Sequence, residues 1–241
     1  MAALGADGEP LLEIFDLAHL DRSTVTTLPG ATYRWRAVHH PSETVPVTEE
    51  QQLGVYLDWI PELPLAARGS EILFLGSMPP ARQLEILNQC PDAKLVALDT
   101  MRDFIAWSPL ELDELLQRSD VLFANEAELR ALLSSGQGDV IRMARQAVTR
   151  WDLRYLILKL GVRGAVIVSA ARHQQYPALA GPPVVDPTGA GDALAGGLLG
   201  RIAQLGRTDE EALEMAMAGG LAAAQAALSA FGVQGLLEAR P

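Results

Sequence analysis

The chain has 241 residues, of which 49% are hydrophobic and 20% are charged, and its formal net charge is −11. This length suffices for one domain with a full core, and the composition is that of a globular protein. The negative charge argues against nucleic acid or an anionic membrane as a partner. No apolar run predicts a membrane span, and we expect no secretory leader. The single cysteine, Cys90, cannot form an internal disulfide, which favours a cytoplasmic location.

The first clear pattern along the chain is an alternation of polar and large apolar residues over Thr32–Val38. Such an alternation predicts a strand with one solvated face, here in a small accessory sheet. The adjacent His39 and His40 show no ligand spacing, and we expect them at an exposed strand end rather than at a metal.

Beyond residue 70, short apolar runs alternate with helical patterns. The predicted strands are Glu71–Gly76, Lys94–Leu98, Val121–Ala124 and Tyr155–Leu160. The predicted helices are a segment opened by Pro79 and Pro80 and running to about Gln89, then Pro109–Arg118, Glu126–Leu133 and Val140–Arg150. This rhythm, with almost continuously apolar strands, indicates an α/β protein with a parallel sheet covered by helices.

The last third of the chain departs from that rhythm. Apolar runs on both sides of Gly161–Gly164 predict a hairpin. Pro183–Val185 reads as a short strand that leads into a helix beginning near Ala190. Ala193–Ala230 is rich in alanine and glycine and predicts two closely packed helices, separated near Gly206–Asp209.

The stretch Val185–Asp192 carries the most chemical information. Gly189 and Gly191 have no Cβ and let the backbone turn tightly beside a ligand, and amides at a helix N-terminus form an anion site. A carboxylate at Asp192 is a poor phosphate ligand but a suitable base for a hydroxyl, so the stretch favours phosphoryl transfer to an alcohol. Alternatively, Thr188 is a simple N-cap and Asp192 only complements the helix dipole.

The string from Asp186 to Asp192 resembles the C-terminal signature of the ribokinase/PfkB family of carbohydrate and nucleoside kinases. Other segments resemble the family in the same order: Pro29–Trp35, Leu98–Met101, Asn125–Glu128, Leu158–Ala165 and Phe231–Leu236. Leu98–Met101 and Phe231–Leu236 are similar to a sugar-kinase-like branch. The resemblance implies one ribokinase-like domain over residues 1–241, with three αβα layers, a mainly parallel sheet and a small β lid at residues 31–56.

The resemblance also implies roles for single residues. Asp192 matches the catalytic base, and Gly189, Ala190 and Gly191 match the anion hole. Asn125 and Glu128 match the element that orders Mg²⁺ and its waters, and Asp186, with Thr188, matches positions tied to a monovalent cation such as K⁺ in some members. Residues matched to the nucleotide site are Lys159, Gly161, Gly164 and Thr188.

Three of these assignments have plainer alternatives. Glu128 could be a solvated helix residue, and Lys159 could extend from a strand end into solvent. Asp99 ends a strand on the side where open α/β sheets bind ligands. It is therefore either a neighbour of the sugar or phosphate, or a cap of the turn that begins at Thr100.

The family resemblance implies transfer of the γ-phosphoryl group of ATP to an alcohol of a sugar or nucleoside-like acceptor, and a homodimer through the lid. Members usually begin with a strand ending in a sugar-binding Asp and a Gly-Gly helix. Residues 1–8 resemble a later strand, so we expect this substrate-binding segment to be absent. The alternative is a nucleotide-binding protein that has lost its acceptor site. Neither a dinucleotide-binding glycine motif nor a P-loop is found.

Overall fold

The computed structural model describes residues 1–38, 46–135 and 137–239. They group into two compact units. The first unit consists of Met1–Gly69 and Met78–Pro91, and the second of Ser70–Ser77 and Asp92–Pro241. Within the described part of the chain, none of the helices has the length and apolar character needed to cross a membrane.

The first unit contains two small sheets. Strand β1 (Ala2–Gly5) pairs in parallel with β2 (Val25–Leu28), and β3 (Arg34–Val38) pairs antiparallel with β4 (Val47–Gln52). The helices of this unit are α1 (Glu9–Leu17), α2 (Leu65–Arg68) and α3 (Pro80–Asn88).

The alternating pattern over Thr32–Val38 correctly predicts β3. Trp35 is half-buried, whereas Arg34 and Arg36 on the opposite face are exposed. Both strands of this sheet fall within the segment expected to form the lid. The strand-end prediction for His39 and His40 lies outside the described residues and stays a prediction.

The entry into β3 is fixed by Asp7. Its carboxylate accepts hydrogen bonds from the backbone N–H and the hydroxyl of Thr32, both at 2.7 Å, and from the guanidinium of Arg34 at 2.7 Å. These donors, chiefly Thr32, hold the pKa of Asp7 well below its usual range. The loop after β1 is thereby tied to the start of β3.

The second unit is built on a six-stranded sheet with the order β10-β9-β8-β7-β6-β5. Strands β5 to β8 are parallel, and β8, β9 and β10 are antiparallel neighbours. The strands are β5 (Ile72–Leu75), β6 (Leu95–Asp99), β7 (Val121–Asn125), β8 (Tyr155–Lys159), β9 (Ala165–Val168) and β10 (His173–Tyr176). The helices are α4 (Arg102–Trp107), α5 (Pro109–Gln117), α6 (Glu126–Leu132), α7 (Val140–Trp151), α8 (Ala190–Leu205), α9 (Glu210–Ala227) and α10 (Gln234–Glu238). The mainly parallel sheet and the β8–β9 hairpin agree with the sequence.

Helices cover both faces of this sheet, which confirms the three layers. Alternate strand residues such as Phe123 and Ile157 share one buried cluster with Leu198 of α8 and Met217 of α9. On the opposite face, α6 and α7 contact strands β7 to β9. Strand side chains point alternately to the two faces, so strands buried on both faces need nearly continuous apolar sequence.

Helices α8 and α9 form the close pair that the small residues predict. A Cβ placed on Gly197 would lie only 2.6 Å from the carbonyl oxygen of Gly219, so the two backbones approach too closely for a larger residue. Helix α8 ends at Leu205 and helix α9 begins at Glu210, which matches the separation predicted near Gly206–Asp209.

One predicted strand is wrong. Pro183–Val185 pairs with no strand among the described residues, and Val184 and Val185 are exposed. The Val185 N–H donates instead to the carbonyl of Leu228 at 2.9 Å, at the end of α9. The apolar sequence of the segment resembles that of a strand, but its backbone hydrogen bond goes to a helix end.

The β8–β9 turn generates a prediction about stability. Gly164 has a φ of +87°, and a Cβ there would lie 2.0 Å from the carbonyl oxygen of Tyr176. Gly164→Ala should therefore lower the free energy of unfolding by about 2 kcal/mol or more, from strain and the steric clash together. Gly161→Ala is the matched control, since Gly161 has a φ of +58° and open space around its Cβ position. It should cost only about 1 kcal/mol. Equal losses in urea denaturation would contradict this account.

Candidate functional site

Three adjacent strands place polar residues at the same edge of the sheet. Asp99 ends β6, Asn125 ends β7 and Lys159 ends β8. The strands are parallel, and Asn125 and Lys159 are paired in register. The carboxyl-terminal edge of an open parallel sheet is the usual place for a ligand in α/β proteins. The fold therefore brings these three predicted site residues together.

Asp99 and Lys159 form a buried ion pair. The ammonium of Lys159 donates to Oδ1 of Asp99 at 3.1 Å and to Oδ2 at 3.0 Å. Oδ1 also accepts the backbone N–H of Thr100 at 2.9 Å, as the capping alternative for Asp99 expects. The Asp99 side chain is 5% exposed and that of Lys159 is 15% exposed. The alternative in which Lys159 extends into solvent is therefore wrong.

Burial and the neighbouring charges shift the pKa values of both partners. Burial raises the pKa of Asp99, the cation of Lys159 opposes that rise, and the carboxylate of Glu128 adds to it. Burial alone would lower the pKa of Lys159, but the charges of Asp99, Glu128 and Asp192 outweigh it and hold that pKa above its ordinary value. Lys159 therefore keeps its proton while it neutralises a crowded group of carboxylates.

Glu128 belongs to the same cluster and is not solvated. It is 8% exposed, and its Oε2 lies 3.9 Å from the ammonium of Lys159. Oε2 also accepts the backbone N–H of Asn125 at 2.8 Å, while the Asn125 side chain accepts the Glu128 N–H at 2.9 Å. This reciprocal capping box begins α6. The expectation of a solvated helix residue is wrong, because the cap turns the carboxylate back toward the strand end.

The predicted anion hole lies at the start of α8. Gly189 is its N-cap with a φ of +79°, and there is open space where a Cβ would be. The amide of Ala190 donates to the carbonyl of Pro187 at 3.3 Å, and the first amides of a helix have no acceptor within the helix itself. Asp192 is exposed in the first turn.

Lys159 connects the strand ends with this helix. A Cβ placed on Gly191 would lie 3.2 Å from Nζ of Lys159 and 3.4 Å from its Cδ. The side chain of Lys159 thus packs against the first turn of α8, where the absence of a Cβ on Gly191 leaves room for it. The structure brings Asp99, Glu128, Lys159 and Asp192 into one electrostatic cluster.

The remaining predicted site residues lie in two turns. Asp186 accepts the backbone N–H of Thr188 at 2.9 Å and so forms a small turn that leads into α8. Gly161 and Gly164 bound the turn between β8 and β9, directly after Lys159. Their predicted roles toward a cation and a nucleotide stay predictions.

The donor set at this edge fits Mg²⁺ only in part. Among the described residues, no group of three or more His, Cys, Asp or Glu side chains is arranged to hold a metal ion by itself. Mg²⁺ in phosphotransferases takes one or two carboxylates and completes its shell with water and substrate phosphates. Glu128, with one oxygen engaged by the capping box, suits that role through water.

A cavity of about 460 Å³ lies within the first unit. Its lining residues are Leu28, Pro29, Gly30, Ala31, Gly54, Val55 and Asp58. Among the described residues that line this cavity, Asp58 is the charged one, and it carries a negative charge. A group of this kind cannot offset the charge of a transferred phosphoryl group, so the edge of the sheet is the stronger candidate.

Comparison with known proteins identifies the family of this chain. The model of the pfkB family carbohydrate kinases matches residues 63–240. A cytidine kinase of Thermococcus kodakarensis is 32% identical over 204 residues, which is 82% of this chain and 70% of that enzyme.

The chain belongs to the pfkB carbohydrate kinase family. Two solved structures share its fold. The nucleoside kinase of Methanocaldococcus jannaschii has a TM-score of 0.74 at 21% identity, over 96% of this chain and 74% of that one. The ribokinase of Thermotoga maritima has a TM-score of 0.73 at 22% identity, over 96% and 75%. The predicted ribokinase-like α/β fold is confirmed, and this family member is a phosphotransferase of the kinase type.

The ion pair itself was missed by reasoning from the sequence. The sequence places Asp99 either near the acceptor or at the cap of a turn, and it places Lys159 near the nucleotide. It indicates no contact between the two residues. A signal was present, because both residues end predicted strands that flank a third. Parallel strands in that order bring their last residues to one edge.

The capping box generates a prediction with a matched control. Asn125→Ala and Asp139→Ala each remove an N-cap side chain that accepts a backbone N–H, at α6 and α7 respectively. Both should lower the free energy of unfolding by about 1 kcal/mol. Only Asn125→Ala should also weaken the binding of Mg²⁺–ATP in calorimetry, since it removes the acceptor of the Glu128 N–H and loosens the helix start that positions the Glu128 carboxylate. Equal nucleotide binding by the two variants would contradict a role of this cap in the site.

Proposed function

We propose that this protein transfers the γ-phosphoryl group of ATP to a hydroxyl group of a nucleoside or a related sugar. One observation carries the proposal: an exposed carboxylate, Asp192, lies in the first turn of a helix whose N-cap glycine has a φ of +79°, beside a buried ammonium. Open amides and a cation attract phosphate, and the carboxylate supplies a base.

Asp192 acts as the base in this proposal. The acceptor oxygen attacks the γ-phosphorus and forms the new P–O bond while the bond to the bridging oxygen of ADP breaks. The hydroxyl proton passes to the carboxylate of Asp192, and ADP leaves with the bond's electron pair. Exposure of Asp192 leaves its carboxylate accessible to an acceptor.

Charge that grows on the transferred group is stabilised by fixed donors. The amides of Gly189, Ala190 and Gly191 form the anion hole, of which Ala190 is the weakest member because its N–H also contacts Pro187. Bound Mg²⁺ supplies charge neutralisation on the phosphates. Asn125 and Glu128 are the residues that would hold it through water, and the nucleotide would lie along the turn bounded by Gly161 and Gly164.

The names of the relatives favour a nucleoside as the acceptor in this proposal. The T. kodakarensis protein is named a cytidine kinase, and a 28% identical relative from M. jannaschii, matched over 54% of this chain and 41% of its own length, is named a nucleoside kinase. Both names support a nucleoside acceptor over a simple sugar. The alternative of a nucleotide-binding protein without acceptor chemistry gains no support from these relatives.

Three further features of the account stay predictions. The turn formed by Asp186 and Thr188 would place oxygen ligands near a monovalent cation such as K⁺. A homodimer would form through the sheet of β3 and β4. The lone Cys90 favours a cytoplasmic location.

The base assignment is tested by Asp192→Asn, which keeps the size of the side chain but removes its basicity. Turnover should fall by about two to four orders of magnitude while ATP affinity changes little. Glu211→Gln is a matched control, since Glu211 is an exposed acid in the first turn of α9. It should leave turnover unchanged. Steady-state kinetics of both variants decides the matter, and near-wild-type turnover of Asp192→Asn would rule out this base.

The anion hole is tested by Gly191→Ala. The new methyl group would lie 3.2 Å from the ammonium of Lys159 and push it slightly away from the first turn of α8, so ATP should bind more weakly. Gly196→Ala in the same helix meets nothing within 4 Å. It should leave ATP affinity unchanged and gain about 0.5–1 kcal/mol of stability. Calorimetry that finds the same ATP affinity in both variants would place the phosphate site elsewhere.

A further inference from the structure

The fold does not need the buried ion pair of Asp99 and Lys159 for its stability. Burying two charges removes their hydration, and their attraction rarely does more than offset that cost, so a buried pair is a weak source of stability. Lys159 nevertheless receives both oxygens of Asp99, at 3.1 and 3.0 Å, with Glu128 at 3.9 Å. Stability alone does not account for an ammonium held so firmly in this position.

The ammonium of Lys159 also lies beside the N-terminus of a helix. Lys159 packs under Gly191, in the first turn of the 16-residue helix α8. The N-terminus of a helix carries a partial positive charge. Two positive groups side by side repel each other, but together they suit a highly charged anion. The carboxylate of Asp99, on the side away from solvent, keeps the ammonium in place until that anion arrives.

We propose that Lys159 contacts the transferred phosphoryl group, and that Asp99 is the positioning residue that holds Lys159 there. This inference rests on the proposed function and adds to it a fixed cation at the reacting group. Neither residue exchanges a proton in the step: Lys159 stabilises negative charge and Asp99 remains its partner.

The geometry speaks against a direct contact of Asp99 with the acceptor. Its Oδ1 already accepts from Lys159 and from the N–H of Thr100, and its Oδ2 accepts from Lys159. The residue is 3% exposed. With three hydrogen bonds already made and little exposed surface, this carboxylate offers an acceptor hydroxyl poor access, and a contact with it would weaken its hold on the Lys159 ammonium.

The test is a double-mutant cycle of Lys159→Met, Asp99→Asn and the double variant. Its readout is the ratio of the Kd for ADP to the Kd for a non-hydrolysable ATP analogue, measured by calorimetry with Mg²⁺. Lys159→Met should cut this ratio by about tenfold or more, the size expected for a lost charge-assisted hydrogen bond. Asp99→Asn should lower it in the same direction, and the double variant should be no worse than Lys159→Met alone.

Kinetics with the preferred nucleoside adds a second readout that a merely structural role would not move. Asp99→Asn should lower kcat about tenfold or more and leave the KM for the acceptor within about twofold, since the interaction is made with the reacting group. A raised acceptor KM at unchanged kcat, or effects on the Kd ratio that multiply in the double variant, would overturn the proposal.

Two further variants guard against a failure to fold. Asp99→Glu keeps the charge but displaces the carboxylate by one methylene, so it should fold and still show a reduced Kd ratio. A wild-type ratio in Asp99→Glu would count against positioning even if Asp99→Asn is unfolded. Asp120→Asn removes a carboxylate that accepts the Val96 N–H at the opposite end of the sheet, and it should leave the ratio unchanged.

The outcomes also separate this inference from the proposed function. If Asp192→Asn keeps its turnover while the Kd ratio depends on Lys159, the base assignment fails and the positioning role stands. If folded Lys159→Met has the wild-type ratio, the positioning role fails whatever the turnover of Asp192→Asn.

Discussion

The salt bridge between Asp99 and Lys159 is the interaction on which the candidate site depends. It joins the ends of β6 and β8 across β7 and fixes an ammonium among the charges of Asp99, Glu128 and Asp192. Without that ammonium, buried carboxylates would face one another at the sheet edge, and at least one would have to take up a proton. The cation therefore makes it possible to concentrate acidic groups beside a phosphate site.

The core of the second unit fixes the position of this cluster of charged side chains. The strands are buried on both faces, and α8 and α9 pack on one of them through a cluster that includes Leu198, Met217 and Phe123. Glycine at 197 lets the two helices approach closely. Because the body of α8 is anchored in the core, its first turn is carried to the strand ends as a rigid element. Site residues on such elements are placed more accurately than residues on loops.

Much of this arrangement could be predicted from the sequence, for physical reasons that differ between elements. The strands β6 to β8 were predictable because burial on both faces demands apolar residues. The start of α8 was predictable because its glycines are typical of a tight turn that leads into a helix. Pro183–Val185 was misread, since an apolar stretch does not show where its backbone hydrogen bonds go. The alternative of a solvated Glu128 is wrong because the capping role of Glu128, and hence its burial, depends on Asn125 turning the helix start inward. The ion pair is harder to predict, because the ends of β6 and β8 come together only once the order of the strands is known, and local patterns do not encode that order.

The central claim is that this edge of the sheet transfers phosphoryl from ATP to a nucleoside hydroxyl. The most direct measurement is ³¹P NMR of the protein with Mg²⁺, ATP and cytidine, with other nucleosides and simple sugars in parallel. The account predicts equal amounts of ADP and a nucleoside phosphate monoester. Release of ADP and inorganic phosphate without any monoester, or no consumption of ATP with any of these acceptors, would contradict it.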